Sequence, residues 1–143
     1  MNTPRIVLTD TPDAADVAAV RERLGRFNLQ ATGIDDQRAL AVLVKDPATS
    51  EVLGGLTGRT SRGVLFVEVL FLPESLRSSG LGSELLRTAE QEAVRRGCHH
   101  GLLHTNTFQA PEFYKKNGWH EFGAIPSDPP GTSRLFFLKQ LSA

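Results

Sequence analysis

The chain has 143 residues, 40% of them hydrophobic and 22% charged, which is ordinary for one globular domain and enough for a real core. Its 16 basic and 16 acidic residues cancel, which excludes the charge signature of a nucleic-acid or membrane surface as the main partner. One cysteine, Cys98, excludes an internal disulfide framework, and no leader-like or membrane-spanning apolar run is present, so a cytoplasmic protein is expected.

Residues 5–8 (Arg-Ile-Val-Leu) read as a first strand. Thr11 or Asp13 then offers an N-cap, and a helix over 13–26 carries Ala14, Val17, Val20 and Leu24 on one face. The stretch 27–37 accommodates a short second helix ending near Gly33. Strands follow at 40–45 and 52–60, separated by the turn Asp46-Pro-Ala-Thr-Ser50. Ser61-Arg62-Gly63 turns into a third strand, 64–72. It is almost wholly apolar and rich in β-branched and aromatic residues, the pattern of a strand covered on both faces.

The second half reads helix 80–96, strand 100–105, helix 109–117, strand 119–125, the turn Pro126-Ser-Asp-Pro-Pro-Gly131, and strand 133–140. In the first of these helices Leu81, Leu85, Leu86, Ala89, Ala93 and Val94 recur at helical spacing. Strand–helix–strand units give parallel neighbours, whereas the meander before them is antiparallel. The expectation is an α/β (α+β) fold with a mixed, mostly antiparallel sheet of about six to seven strands. Helices cover both faces and a parallel pair lies at the centre. No internal repeat or linker interrupts the chain, so residues 1–143 read as a single domain.

Chemistry concentrates at the joint Arg77-Ser78-Ser79-Gly80-Leu81-Gly82-Ser83. Two glycines and small serines stand where unpaired helix N–H groups point outward, and such a terminus binds anions through those groups and the helix dipole. Glycine lets a phosphate approach the backbone, and Arg77 adds a fork suited to phosphate. The phosphate-loop pattern G-x-x-x-x-G-K-[ST] is absent. The dinucleotide pattern G-x-G-x-x-G fails at Leu85. What remains, [RQ]-x-x-G-x-[GA] after a strand and opening a helix, resembles the coenzyme A pyrophosphate loop of the GNAT superfamily of N-acetyltransferases.

A second stretch resembles the other signature of that superfamily, A-x-x-[FL]-Y-[EK]-x-x-G-[FYW], through Ala110, Phe113, Tyr114, Gly118 and Trp119. The string Phe-Gln-Ala-Pro-x-Phe-Tyr and the Pro-Pro-Gly turn are similar to those of a bacterial subgroup of small single-domain members. The resemblance implies transfer of acetyl from acetyl-coenzyme A to a primary amine of a small molecule or protein, by direct attack in a ternary complex. It implies no metal, and Cys98-His99-His100 lacks a convincing zinc spacing. It further implies a central strand that bulges away from its neighbour, with the backbones of Leu70, Phe71 and Leu72 bonding the pantetheine amides. Many members place an asparagine seven residues before the tyrosine. Thr107 stands there, with Asn106 one residue off, and both are carried as coenzyme contacts. Dimers are common in such families, so a homodimer is one assembly the resemblance allows. A coenzyme-A-binding sensor without turnover is the alternative function.

Two protonation problems set the catalytic groups. An amine with a pKa near ~10.4 must lose a proton before it attacks, and the leaving thiolate must gain one. By the resemblance, Tyr114, the one tyrosine in the chain, is the proton donor to the thiolate. Glu68 is a lone carboxylate inside an apolar strand. It reads either as a buried base with a raised pKa, or as a side chain on the strand's exposed face or one paired with an arginine. His104 is a second candidate base, and water chains are a third route. The resemblance implies that residues 25–37 and 126–131 flank the acceptor entrance, where Asp35, Asp36 and Asp128 either attract a cationic acceptor or form a solvated acidic edge.

Overall fold

The computed structural model describes residues 2–142, which divide into two compact units with the boundary between Asp35 and Asp36. The first unit holds one helix, α1 (Ala14–Thr32), entered through Asp13 and stopped by Gly33 in the left-handed region. Two expectations are corrected here. Helix 13–26 and the separate short helix are one continuous element, because no proline interrupts 26–32 and helix-compatible residues fill the stretch. Residues 5–8 form no strand. A strand needs a partner for its backbone groups, and the described part of this unit contains no second strand.

The second unit is a six-stranded sheet with two helices. Its elements are β1 (Arg38–Lys45), β2 (Val52–Ser61), β3 (Val64–Phe71), α2 (Leu81–Arg95), β4 (His100–Asn106), α3 (Pro111–Lys116), β5 (His120–Ser127) and β6 (Thr132–Gln140). The strand order is β1-β2-β3-β4-β6-β5. Every neighbouring pair is antiparallel except β3–β4, which is parallel and central. The mixed, mostly antiparallel sheet expected from the meander and the strand–helix–strand units is therefore present.

One face of the sheet is the core. Leu40, Leu56, Leu65, Val67, Leu103, Leu135 and Phe137 alternate along their strands and pack against Leu86, Ala89 and Ala93 of α2 and Tyr114 of α3. The spacing 85, 86, 89, 93 is one stripe of a helix, which is why the α2 sequence docks on this face. Each fully buried leucine contributes on the order of 1.5–3 kcal/mol. Trp119, 1% exposed, caps this core. Within this unit β3 is covered on the α2 face only. On the opposite face Val69 and Phe71 are 56% and 52% exposed, unlike the two-sided cover that its apolar run suggests.

Polar ties fix the helices to the sheet. Lys139 Nζ donates to Glu90 Oε1 at 2.6 Å and to the Asn117 carbonyl at 2.8 Å, and Trp119 Nε1 donates to Glu90 Oε2 at 3.3 Å. Arg96 links the end of α2 to the Ala39 carbonyl and the buried Thr60 hydroxyl, each at 3.1 Å.

Candidate active site

The site begins with a fault in β3. Thr57 of β2 faces Val69 and Gly58 faces Val67, so Glu68 is an extra, unpaired residue, a β-bulge. A bulge bends its strand and sharpens the local twist. The consequence appears on the other edge of β3. Pairing with β4 runs only from Val64–His100 to Val67–Leu103 and then ceases. Beyond it β4 continues through Asn106 with β6, and β3 continues through Phe71 with β2. The two central strands thus part into a split whose facing edges carry unpaired backbone groups. Leu70 and Phe71 lie along it and Leu72 at its end, where the Leu72 carbonyl accepts Arg77 Nε at 2.8 Å.

The split leads to the start of α2. Gly80 is the N-cap in the left-handed region, φ 83°, and no side chain caps this helix. None of the backbone N–H groups from Ser78 to Ser83 finds an acceptor among the described residues. The Ser79 hydroxyl donates to the Leu76 carbonyl at 2.8 Å. A Cβ on Gly80 would meet open space, whereas one on Gly82 would lie 3.2 Å from the Phe113 ring. The first glycine therefore serves the loop conformation and a clear approach from outside. The second lets α2 close on α3. Open space, free N–H donors and the positive end of the helix dipole are together the features that favour an anion at a helix start. Arg77 stays beside it, its guanidinium 5.8 Å from the Phe71 ring centre.

Tyr114 is brought to the α2 face. Its ring packs edge-on to Phe113 at 5.1 Å and against Phe137 at 5.8 Å. Its hydroxyl has no protein partner, yet no buried polar side-chain atom is left unsatisfied among the described residues. The hydroxyl therefore keeps an opening to the outside. Burial pushes the phenol above its ordinary value, so it holds its proton throughout the neutral range.

Glu68 lies elsewhere. It pairs with Arg59 on the face opposite α2, both side chains being a little under half exposed. The Arg59 guanidinium also sits 4.6 Å over the Phe66 ring. Of the two sequence readings of Glu68, the arginine-paired one is found and the buried carboxylate is not. The extra residue of the bulge turns it out of the core. His104 is exposed on this same face, its ring 6.4 Å from Phe66 and 5.6 Å from Phe136.

At the end of β4, Gln109 organises the turn, a role that no spacing signalled. Its side-chain oxygen accepts from the Asn106 backbone at 3.1 Å and from Asn106 Nδ2 at 2.9 Å. Thr107 Oγ1 accepts from the Ser133 N–H at 3.1 Å and keeps its own hydrogen for donation. Cys98 is buried away from these groups. Burial, and then the Asp36 carboxylate, push its thiol up.

A split parallel pair opening onto an uncapped, glycine-bearing helix start defines an acyl-coenzyme A N-acyltransferase fold. The profile of the Acetyltransferase (GNAT) family matches residues 8–119, and the chain belongs to that family. It is 38% identical over 134 residues to acetyltransferase Atu2258 of Agrobacterium fabrum, covering 94% of this chain and 97% of that protein. It is 37% identical over 92 residues to the blasticidin-S acetyltransferase of Streptomyces morookaense, covering 64% of this chain and 68% of that protein. A crystal structure from Agrobacterium tumefaciens, assigned as an acetyltransferase, superposes with a TM-score of 0.87 at 34% identity, covering 96% of this chain and 99% of that one.

Proposed function

We propose that the protein is an acetyl-coenzyme-A-dependent N-acetyltransferase in which residues 1–143 act as one catalytic domain on a primary amine. The observation that carries this reading is the β3–β4 split running into the donor-rich loop Ser78–Ser83. In it Arg77, Ser78, Ser79, Gly80, Leu81, Gly82 and Ser83 hold the pyrophosphate. The backbones of Leu70, Phe71 and Leu72 bond the pantetheine, and Asn106 and Thr107 contact the coenzyme from the end of β4. The amine nitrogen attacks the acetyl carbonyl carbon in a ternary complex. A C–N bond forms and the C–S bond breaks. The nitrogen gives up a proton to the Glu68 carboxylate, and the departing thiolate takes one from Tyr114. The acetamide and free coenzyme leave, and no metal takes part.

Acceptors of this reading include small amines, as the name of the blasticidin-S relative suggests, and protein amines. The setting is cytoplasmic, and a homodimer is one assembly this reading allows. The test is an acceptor panel followed by thiol release, with acetyl-coenzyme A affinity measured by calorimetry. Buried Cys98 contributes little background to the thiol readout. Binding together with amine-dependent thiol release supports the reading. Absence of coenzyme binding overturns it.

A further inference from the structure

The face opposite α2 carries a half-open hollow of about 560 Å³, at the end of the sheet where β5 turns into β6. Its lining includes the polar side chains of Asn106, Ser127, Asp128 and Arg134 and the apolar ones of Ile125 and Phe136. The volume lies in the range of small-molecule sites. Asp128 and Arg134, both solvent-exposed, line it, and neither takes part in a salt bridge among the described residues. Two opposite charges left apart at the wall of one hollow match a ligand that carries both signs.

The strand register gives that ligand a direction. Arg134 stands opposite Asn106, and the next residue pair on the same face is Phe136 opposite His104. Same-face residues along a strand are about 7 Å apart. His104 is the first residue of β4 beyond its last pair with β3, so it marks the mouth of the split. From Arg134 to that mouth the surface is one apolar step, the Phe136 ring.

Resting on the reading of the split as the acetyl-transfer site, we propose that the acceptor is an α-amino acid with a second amine at the end of its side chain. Its carboxylate lies in the Arg134 fork, a bidentate match that a lysine could not give. Its α-ammonium lies against Asp128, its methylene stem crosses Phe136, and its terminal amine reaches the split. There the terminal nitrogen forms the C–N bond to the acetyl carbon as the C–S bond breaks, losing one proton while the thiolate gains one. The products are an N-acetylated diamino acid and free coenzyme A.

The experiment titrates L-lysine and L-ornithine, and their decarboxylated counterparts cadaverine and putrescine, into coenzyme-A-loaded protein. Thiol release is followed with the same four amines. The diamino acids should bind at least ~10-fold more tightly than the diamines, and kcat/KM should follow. In Arg134→Gln that advantage should vanish. In Arg134→Lys part of it should remain, and Asp128→Asn should weaken the diamino acids more than the diamines. Coenzyme A affinity in each variant reports that the fold is intact. Equal affinity for diamines and diamino acids in the wild type overturns the inference, as does an advantage that survives Arg134→Gln. If diamines turn over as well as diamino acids, the inference fails while the acetyl-transfer reading stands. Failure to bind coenzyme A at all overturns both.

Discussion

Tyr114 and Glu68 lie on opposite faces of one sheet: the Tyr114 ring packs on Phe137 in the core, whereas Glu68 pairs with Arg59 beside Phe66 on the other side. Two groups so placed do not share a pocket wall. They can serve one reaction only through an opening in the sheet, and β3 and β4 part just past Val67 and Leu103. A thioester threaded there would show its sulfur to one face and its carbonyl to the other. The nucleophile and the leaving group then have separate proton partners, as opposite ends of one displacement require.

The first prediction concerns the amine side. Glu68→Gln keeps the shape of the side chain and a hydrogen-bond acceptor toward Arg59, so fold and coenzyme affinity should hold. If the carboxylate takes the amine proton, kcat should fall by ~10²-fold or more. A wild-type rate would leave Glu68 as the partner of Arg59 and nothing more.

The second concerns the anion loop. A valine at position 80 would force a β-branched residue into φ 83° and place a side chain in the open space before the free N–H groups. Gly80→Val should therefore abolish most acetyl-coenzyme A binding in calorimetry. Arg77→Ala should weaken binding by a smaller amount, and the remaining affinity should depend less on salt. Undiminished affinity in Gly80→Val would remove the basis for assigning the loop.

How much of this was legible in the sequence follows from the range of each interaction. The loop Arg77–Ser83 and the helix stops at Gly33 and Gly118 are set by residues a few positions apart, and local pattern finds them. The bulge at Glu68 is not local. It depends on Thr57 and Gly58 of another strand, and an apolar run with one carboxylate reads equally well as a buried base. The Arg59 partner settles that choice, yet it comes from the preceding strand. Residues 5–8 have the composition of a strand but no partner among the described residues of their own unit. Gln109, the organiser of the β4 turn, stands in the string Phe-Gln-Ala-Pro-x-Phe-Tyr, yet its role shows only when its oxygen is seen on Asn106. The Glu90–Lys139 pair spans 49 positions, and helical periodicity alone puts Glu90 on the solvent side of α2.

That pair carries the third prediction. Glu90 and Lys139 have side chains 14% and 26% exposed, and Glu90 also accepts from Trp119. Glu90→Ala leaves a largely covered ammonium with the Asn117 carbonyl alone and an indole N–H without a partner. The cost should be about 2–4 kcal/mol in urea unfolding, followed through the fluorescence of the one tryptophan. A change below about 0.5 kcal/mol would mean that water replaces the carboxylate at both donors.

The last prediction concerns Tyr114. Tyr114→Phe removes one hydroxyl and keeps the ring on Phe113 and Phe137, so packing and coenzyme affinity should hardly change. The hydroxyl makes no protein hydrogen bond, so its loss strands no buried partner. A donor to the departing thiolate acts chiefly in the transition state, so the defect should appear in kcat, at ~10²-fold or more, with KM for the amine little altered. It should be similar for every acceptor and smaller for a thioester whose thiol is more acidic. The pH dependence has a definite sign. Burial raises the phenol above its unfolded value of 10.0, so the folded protein holds this proton more tightly. Its contribution to stability is complete below the unfolded value and is lost as pH rises through the folded one. Tyr114 should therefore cause no fall in rate or stability through the neutral range, and an alkaline loss of stability present in the wild type should be reduced in Tyr114→Phe. If Tyr114→Phe turns over a good acceptor at the wild-type rate with chemistry rate-limiting, Tyr114 is a packing residue and solvent protonates the thiolate.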